Sequence, residues 1–560
     1  MSEKQSTPSS PAMSREQSIS HEPRNDTSKT EQSPPATAPV AKAAVTLSPT
    51  KFALVMVSIW LGNFVAFFNE TDATTSMHAV GAEFNAASEQ NWIATAYLVG
   101  FTVTQLLLGK FSDIFGRGRV FTATLFIFAC GTLWAALSQS MHSLIGGRVL
   151  QGIGAAGRQT VGVIIIIDLT TPYTRGLWLG LFNLSLSLGI AFGPIIGALV
   201  STHTTWRWLF WMTLILIGVT MALAANAINY PVPNRKQSVG ILTQLREVDW
   251  LGSVMAVILA ALICVPIEMG NKIFAWNSAP IIVMFVIAAL LLPVFVVYEY
   301  KYPKNPVVDI HLFKLFNIQI ACVINFLTGA GNFGAIFFLP RYFIDIKDAS
   351  LVTSGLQMLG LTLGIGVASV FGANLISQTG QIRLTGLLGS ALYTVGAGLM
   401  VTIGRTTPIA VVIVYSVLWG LGSGILYQPS MVVGPMSVKP QEMAGISGFL
   451  AFLRTLGGTF ATALLTAIFE TRFTEELRGI VPDDLLSQGL GLADNHAQFP
   501  RFSDRIVDAM VKAFHVGAIP AIVFGALYGL SVIFLRNLDF VPAWRKKRLE
   551  AKQKDSTEKA

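Results

Sequence analysis

The sequence predicts an all-α membrane protein with fourteen transmembrane helices, and three observations lead to this prediction. Of the 560 residues, 52% are hydrophobic and only 12% are charged, about half the charged fraction that is usual in a soluble chain. Apolar runs that are long enough to cross a bilayer core of about 30 Å recur along the chain. Basic residues collect in alternate loops between these runs, which is typical of cytoplasmic membrane loops.

Each apolar run is predicted to be a helix, because backbone polar groups in lipid must be satisfied within their own segment. The first six runs begin near Ala53, Trp92, Val120, Leu144, Gly176 and Leu209. Two more begin near Trp250 and Ala279, and the last six begin near Asn317, Val352, Leu384, Pro408, Met443 and Val511. An even number of spans places both termini on the same side.

The loops decide which side that is. The stretch from Glu70 to Asn91 contains four acids and neither Lys nor Arg. The basic residues of the other set of loops are Lys110, Arg117, Arg119, Arg175, Arg235, Lys236, Arg246, Lys301, Lys304 and Lys314. We therefore expect both termini, and the loops of the basic set, to face the cytoplasm.

The polar segments lie at the ends of the chain and near residue 490. Residues 1–48 are rich in Ser, Thr, Pro and Gln and are expected to form a disordered cytoplasmic tail. Residues 536–560 form a basic cytoplasmic tail, and residues 470–505 form a polar outward loop to which no chemistry is assigned. No signal peptide is recognised after Met1, so the first span is expected to direct insertion.

Two motifs in the first half of the chain have a specific spacing. The connector between the second and third runs reads G-x-x-x-D-x-x-G-R, as Gly109, Asp113, Gly116 and Arg117. The fifth run contains G-x8-G-x3-G-P-x2-G, as Gly180, Gly189, Gly193, Pro194 and Gly197. The fourth run adds RVLQGIG from Arg148, and WRWLF from Trp206 leads into the sixth.

Together these motifs resemble the signatures of the major facilitator superfamily over roughly residues 50–540. The sequence is most similar to the 14-span drug:proton antiporter branch, of the fungal toxin and multidrug exporter type. The resemblance implies two six-helix halves, residues 49–231 and 317–535, with two extra spans within residues 232–316 between them. A partial repeat of the connector around residues 372–383, with Gly372, Gly380 and Arg383, is consistent with two parallel halves.

The function implied by the resemblance is secondary active transport. We expect export of small organic compounds, such as drugs, toxins or secondary metabolites, by proton antiport with alternating access across the cell membrane. A vacuolar or plasma-membrane carrier for basic amino acids or other metabolites shares the fold and stays an alternative. The vacuolar membrane is therefore the second candidate location.

Several other classes are not supported by the sequence. No G-x-x-x-x-G-K-[ST] phosphate loop is present, which argues against an ATP-driven pump. Cys130, Cys264 and Cys322 lie inside apolar runs and suggest neither disulfides nor a metal site. We expect no enzymatic activity and no cofactor, with the proton gradient as the energy source. The expected partners are a small-molecule substrate, protons and lipid, without nucleic acid, and the expected oligomeric state is a monomer.

Three residues are predicted to couple protons to transport. Arg148 lies near the outer end of the fourth run, and Glu70 and Asp72 lie at a matching depth in the first. Ionisable groups inside a membrane are costly and usually mark ion pathways. Pairing of Arg148 with either acid is one interpretation, and a snorkelling arginine beside solvated acids is the other. Asn69 stands where the family's acid would be, and Asp72 is slightly preferred over Glu70.

The connector is predicted to act as a cytoplasmic gate. Gly109 and Gly116 permit a sharp turn, and Asp113 is expected to face the positive N-terminal end of the helix that begins near Met443. Arg117 is expected to pair with Asp168 at the cytoplasmic end of the fourth run. In the fifth run, Ser185, Gly189, Gly193 and Gly197 recur every four residues and predict one small-residue face for close helix packing.

Four further residues are candidates for a substrate cavity. Arg158 and Arg454 lie in the middle of the fourth and thirteenth runs, where each could contact an anionic substrate or hydrogen-bond carbonyls at a helix break. Trp419 and Tyr427 could line a drug cavity or serve in packing or lipid contact.

Overall fold

The structure is a computed structural model, and its described residues are 47–86, 89–227, 248–270, 274–303, 305–439, 442–478 and 503–536. Most of the predicted tails, the middle of the outward loop, and the basic residues Arg235, Lys236, Arg246 and Lys304 lie outside them. In the described ranges, fourteen helices are long and apolar enough to cross a membrane, as the sequence predicted. The chain is therefore a multi-pass membrane protein.

The helices follow one another along the chain. The first eight are α1 (Pro49–Glu83), α2 (Trp92–Phe115), α3 (Arg117–Ala136), α4 (Met141–Leu169), α5 (Pro172–His203), α6 (Arg207–Ala227), α7 (Trp250–Met269) and α8 (Ala279–Lys301). The last six are α9 (Phe316–Arg341), α10 (Leu351–Thr379), α11 (Ile382–Met400), α12 (Ile409–Met436), α13 (Met443–Leu477) and α14 (Ser503–Ile533). We call the end of the bundle that carries Gly116 the motif end, and the opposite end the far end.

Helix α14 begins earlier than the sequence suggested, at Ser503 instead of near Val511. Its first turns are amphipathic, and they bury Ile506, Val507 and Met510. Helix α13 likewise continues to Leu477. The predicted outward loop at 470–505 is therefore helical at both of its ends.

The helices pack as two sets joined along two seams. Helix α5 packs against α1 in its own set and against α10 in the other, and α2 packs against α4 and against α13. In each set of six, the second and fifth helices thus make the contacts with the other set. We call α5–α10 and α2–α13 the two seams.

Helices α7 and α8 form a hairpin beside one seam. Helix α7 packs against α2 and α13, whereas α8 packs mainly against α7. Asp249 caps the first turn of α7 and also accepts a hydrogen bond from the Tyr298 hydroxyl of α8. Helix α8 has a mean hydropathy of 3.0 over its best window and is mostly exposed, so its surface suits a lipid environment.

Glycines make the two tightest connections at the motif end. Gly116 alone joins α2 to α3, with φ 96° and ψ 142°, and Gly380 ends α10 with φ 71°. A side chain at either position would be strained, because these dihedral angles lie where only glycine is comfortable. The two connections occupy equivalent places, between the second and third helices of each set.

Candidate functional site

At the motif end, one buried arginine, Arg117, bonds the connector to the neighbouring helices. Arg117 Nε donates to Asp168 Oδ2 at 3.0 Å, and its Nη1 donates to Ser112 Oγ at 3.0 Å and to Asp113 Oδ1. The pairing of Arg117 with Asp168 that the sequence predicted is therefore present. It ties the start of α3 to the end of α4, and the connector to the last turn of α2.

Asp113 is bound differently from the prediction. It lies beside the start of α13, where it lines a small cavity with Lys110, Glu442, Gly445 and Ile446. Its Oδ1, however, accepts the hydrogen bond from Arg117 one turn further on. The guanidinium is the nearer positive group and carries a full charge, so it takes the carboxylate that we expected the helix end to attract.

A second buried arginine, Arg148 of α4, lies towards the far end. Its Nε donates to the Ile93 carbonyl at 3.0 Å, and its Nη1 donates to Asn69 Oδ1 at 2.7 Å and to Gln151 Oε1 at 2.8 Å. The guanidinium carbon lies 4.5 Å from the centroid of the Tyr97 ring. The snorkelling interpretation is wrong, because Arg148 is fully buried.

The two acids of α1 lie close to this arginine without bonding it. Glu70 and Asp72 are both buried, and both interact electrostatically with Arg148. Neither forms an ion pair with it within the described ranges, and the guanidinium donates to the Asn69 side-chain oxygen instead. Both oxygens of Asp72 and Oε1 of Glu70 have no hydrogen-bond partner among the described residues. The direct pairing that we considered is thus replaced by a neutral amide contact.

The small-residue face of α5 presses on the same turn of α1. A Cβ added at Gly197 would lie 3.0 Å from both the Cα and the carbonyl oxygen of Asp72, and one added at Gly193 would lie 2.9 Å from the Phe68 oxygen. Gly189 meets α1 at Phe64 and Phe68 in the same way. Gly176 and Gly180 instead face α10, at Ala373 and Val370. The glycines of α5 therefore allow close contact with α1 at the far end and with α10, across a seam, at the motif end.

The cavity between the two sets of helices contains Arg454. A small cavity is lined by eleven residues from four helices: Gln159, Thr160, Val163, Asn325, Ser430, Met431, Pro435, Ser447, Leu450, Ala451 and Arg454. Arg454 Nη1 lies 3.4 Å from Asn325 Oδ1, and the guanidinium carbon lies 4.8 Å from the centroid of the Tyr427 ring. The predicted candidates Arg454 and Tyr427 are thus brought together.

Arg158 and Trp419 lie elsewhere, inside the separate sets of helices. The Arg158 guanidinium stacks 4.3 Å from the centroid of the Phe128 ring, and its stem packs against Gly62 of α1. Trp419 packs edge-on against Tyr393 of α11, with ring centroids 6.0 Å apart. Neither residue lines the cavity that contains Arg454.

Amide side chains around this cavity were missed by the sequence reading. Gln105 donates to Gln159 at 3.0 Å. Asn183 donates to Ser369 across the α5–α10 seam at 3.1 Å, and Gln428 of α12 donates to the same hydroxyl at 2.7 Å. An amide in the middle of an apolar run is itself a signal, because membrane helices use such groups to bind each other or a ligand. This signal is weaker than that of a charged side chain, because an amide is neutral.

The Trp206–Arg207 pair holds the far end together. Glu83, at the end of α1, accepts from Trp206 Nε1 at 2.6 Å and from Arg207 Nη1 at 2.7 Å. Partial burial opposes the change, but these hydrogen bonds and the Arg207 charge together lower the pKa of Glu83 below its ordinary value. Arg207 also donates to the Ser138 carbonyl at 3.0 Å, so one side chain joins α6 to α1 and to the α3–α4 turn.

Comparison with known proteins shows the family. The sequence profile described as Major Facilitator Superfamily matches residues 59–462. The chain belongs to this superfamily. Among similar proteins, the "Efflux pump dotC" of Dothistroma septosporum is 27% identical over 426 residues, which is 76% of this chain and 72% of that protein. The "Acurin A biosynthesis cluster MFS-type transporter" of Aspergillus aculeatus is 26% identical over 488 residues, 87% of this chain and 86% of that one.

Solved structures agree at the level of the fold. The crystal structure of the human organic anion transporter MFSD10 has a TM-score of 0.55 and 13% identity, and it covers 86% of this chain and 99% of that one. The major facilitator proton:xylose symporter XylE has a TM-score of 0.54 and 12% identity. As a member of this superfamily the chain is a membrane transporter.

Proposed function

We propose that the protein is a secondary active exporter of small organic compounds that uses proton antiport with alternating access. The 14-helix architecture and the similarity to proteins named as efflux pumps or biosynthesis-cluster transporters support export. We place it in the cell membrane as a monomer with both termini in the cytoplasm, so that the motif end faces the cytosol.

The observation that carries the proposal is the charge balance around Arg148. Two carboxyl groups, Glu70 and Asp72, and one guanidinium share a buried region. Buried charges are tolerated when they are balanced, and one guanidinium balances only one ionised acid. Glu268 of α7 adds a further acid within electrostatic range of Glu70, so neutrality of this cluster requires at least one proton on the acids, and we infer that this proton is the transported one.

The contacts of Arg148 suggest how the proton leaves. In this structure the guanidinium is held by Asn69, and its Nη2 has no hydrogen-bond partner among the described residues. A small movement of α1 against α5 would offer Nη2 to Asp72, and an ionised carboxylate is a better acceptor than an amide. Pairing would release the proton, and a return to Asn69 would allow the next proton to bind.

The energy supply is sufficient for concentrative export. One charge that crosses 100 mV releases about 2.3 kcal/mol, and about 1.4 kcal/mol corresponds to a tenfold gradient. One proton at that potential can therefore sustain a substrate gradient of roughly fortyfold.

The test separates coupling from binding. The Glu70→Gln/Asp72→Asn variant and the wild type are reconstituted in vesicles, and a substrate chosen from a cellular accumulation screen of hydrophobic toxins is followed. With an imposed pH gradient, we expect wild-type vesicles to move the substrate uphill and the variant to lose this activity. Exchange of labelled for unlabelled substrate without a gradient should persist in the variant, since the Arg454 cavity is unchanged.

Glu89→Gln is the matched control, because it removes a carboxylate from the same end outside the Arg148 cluster. It should leave uphill transport unchanged. Uphill transport by the Glu70→Gln/Asp72→Asn variant would show that coupling lies elsewhere, and higher toxin accumulation in cells that express the wild type would contradict export.

A further inference from the structure

The cavity at the interface of the two sets of helices contains a buried cation with only neutral partners. Arg454 is buried, and its hydrogen bonds in the described part of the chain come from Nη1 alone, to Asn325 Oδ1 at 3.4 Å and to Met431 Sδ at 3.5 Å. Both contacts are long, and both acceptors are uncharged. Burying a guanidinium without an anion is costly, so this side chain is unbalanced in the structure as it stands.

Two other buried arginines, Arg117 and Arg148, show the difference. Arg117 bonds two carboxylates, and Arg148 has two carboxyl groups within electrostatic range. Each of them is balanced by the protein itself. Of the eleven residues that line the Arg454 cavity, none is acidic, so an anion at this place has to come from outside the chain.

The other residues around the cavity indicate the chemistry of the uncharged part of that anion. The Tyr427 ring lies against the guanidinium, and Val163, Met431, Leu450 and Ala451 supply apolar surface. Besides Arg454, the polar residues of the lining are Gln159, Thr160, Asn325, Ser430 and Ser447, of which Thr160 Oγ1 has no partner within the described residues. Apolar surface with convergent polar groups is the usual lining of a small-molecule site. In this structure the cavity has room only for a water-sized group, so an organic ligand would enter when the two sets of helices move apart.

The position of the cavity fits a carried ligand. Arg454 is eleven residues into α13 from Met443, or roughly 16 Å along the axis at 1.5 Å per residue, which is about a third of the way along this 35-residue helix from the motif end. The lining comes from α4 in one set and from α9, α12 and α13 in the other. A ligand here touches both sets of helices, and their relative movement would expose it to either side.

We propose that Arg454 is the anion receptor of the substrate site, and that the exported compounds are aromatic or otherwise apolar organic monoanions, such as carboxylic acids. The inference rests on the proposed exporter function and names its substrate class. The carboxylate would take the donors of Arg454, and the apolar body would lie along Tyr427 and the α4 and α13 side chains. The same charge disfavours basic amino acids, the alternative class that the sequence left open.

The test measures binding, so that it does not depend on proton coupling. The full-length protein is purified in detergent at neutral pH, and its thermal stabilisation is titrated with matched trios built on naphthalene, coumarin and anthraquinone: the carboxylic acid, its methyl ester and the aminomethyl compound. We expect at least one acid to stabilise the wild type at a concentration about tenfold lower than its ester, as is typical of a charge-assisted hydrogen bond. The amine should give no stabilisation.

The variants identify the receptor. Arg454→Gln should bind acid and ester equally, and Arg454→Lys should keep part of the preference for the acid. Arg158→Gln, which removes an equally buried guanidinium outside the cavity, should keep all of it, and Arg175→Gln serves as a second control. A structural arginine would behave differently, because its replacement would lower the stability of the ligand-free protein without changing the ratio of acid to ester.

Two results would overturn the inference: no trio in which the acid binds better than its ester, or an unchanged acid preference in Arg454→Gln. Either result leaves proton-driven export untouched. Conversely, an intact acid preference in a protein that ignores a pH gradient would overturn proton coupling and leave the anion site standing.

Discussion

At the scale of single residues, four of the buried arginines have different environments. Arg117 bonds carboxylates directly, and Arg148 bonds an amide with two acids nearby. Arg454 has only weak neutral acceptors, and Arg158 has an aromatic ring and no hydrogen-bond partner in the described ranges. Because the cost of a buried charge depends on its partners, each arginine is suited to a different task. Only the first is already in a stable ion pair.

The prediction at this scale concerns the Arg117 connector. Asp113→Asn leaves Arg117 with Asp168, and Asp168→Asn leaves it with Asp113, so each single variant should lower transport in part. The double variant leaves a buried guanidinium without an anion at a cost on the order of 3 kcal/mol, which should open the motif end and nearly abolish transport. Transport rates normalised to surface expression are the measurement.

Arg119→Gln is the control for that series, because Arg119 belongs to the same connector but is exposed. It should transport like the wild type. Normal transport by the Asp113→Asn/Asp168→Asn variant would remove the connector from the gating mechanism.

At the scale of elements, α5 is the helix through which the proton cluster and a seam are connected. One of its faces carries Gly189, Gly193 and Gly197 against α1, and its other face packs against α10 of the other set. A helix in contact with both can transmit a shift of α1 to the seam, because packed helices move as rigid bodies. The glycines bring the backbones of α1 and α5 together at the turn that carries Asp72.

Gly197→Ala tests this role. The added methyl would lie 3.0 Å from the backbone of Asp72, and such overpacking typically costs about 1–3 kcal/mol, so we expect lower thermal stability and loss of proton-driven transport. Gly218→Ala in α6 is the matched control, since nothing lies within 4 Å of its added methyl, and it should be neutral or slightly stabilising. If Gly197→Ala couples protons normally, the close contact of α1 and α5 is packing only.

At the scale of the whole molecule, we expect the two seams to determine which side is open. At the motif end the α2–α13 seam is closed by a glycine pair: a Cβ added at Gly109 would lie 3.5 Å from the Gly448 Cα, and one added at Gly448 would lie 3.6 Å from the Gly109 Cα. Alternating access requires this contact to separate once in every cycle. It is therefore the place where a covalent link would stop the cycle.

The corresponding prediction is a reversible lock. In a background without Cys130, Cys264 and Cys322, the pair Gly109→Cys/Gly448→Cys lies within the reach of a disulfide and should cross-link on oxidation. Transport should stop on oxidation and return on reduction. Gly109→Cys/Gly445→Cys is the control, because a Cβ at Gly445 has no neighbour within 4 Å. Continued transport by the cross-linked protein would mean that this seam does not open.

Most of the fold could be predicted from the sequence, because apolar run length is a direct consequence of bilayer thickness. The Arg117–Asp168 pair followed from the placement of both residues at the cytoplasmic ends of their runs. The shared face of Gly189, Gly193 and Gly197 followed from their spacing, since one helix face is determined by its period, but its contact with α1 did not. The environment of Arg148 did not, because the depths of Asn69, Glu70 and Asp72 are almost equal and only packing decides which side chain reaches the guanidinium. In the sequence, Arg158 and Arg454 both lie in the middle of an apolar run. Only the tertiary structure shows that Arg454 lines the cavity and Arg158 does not.

The two glycine connections at the motif end have a consequence for how each half responds to the solution that it faces. Gly116 is followed by an arginine bound to carboxylates, whereas near Gly380 the exposed Arg383 donates to the Leu535 carbonyl at the end of α14. Dissolved ions weaken attraction between charges but hardly affect a bond to an uncharged carbonyl. Two connections of one design have thus diverged; because Arg117 is buried, where dissolved ions screen charges only weakly, we expect neither connection to loosen when a cell concentrates its salts under osmotic stress.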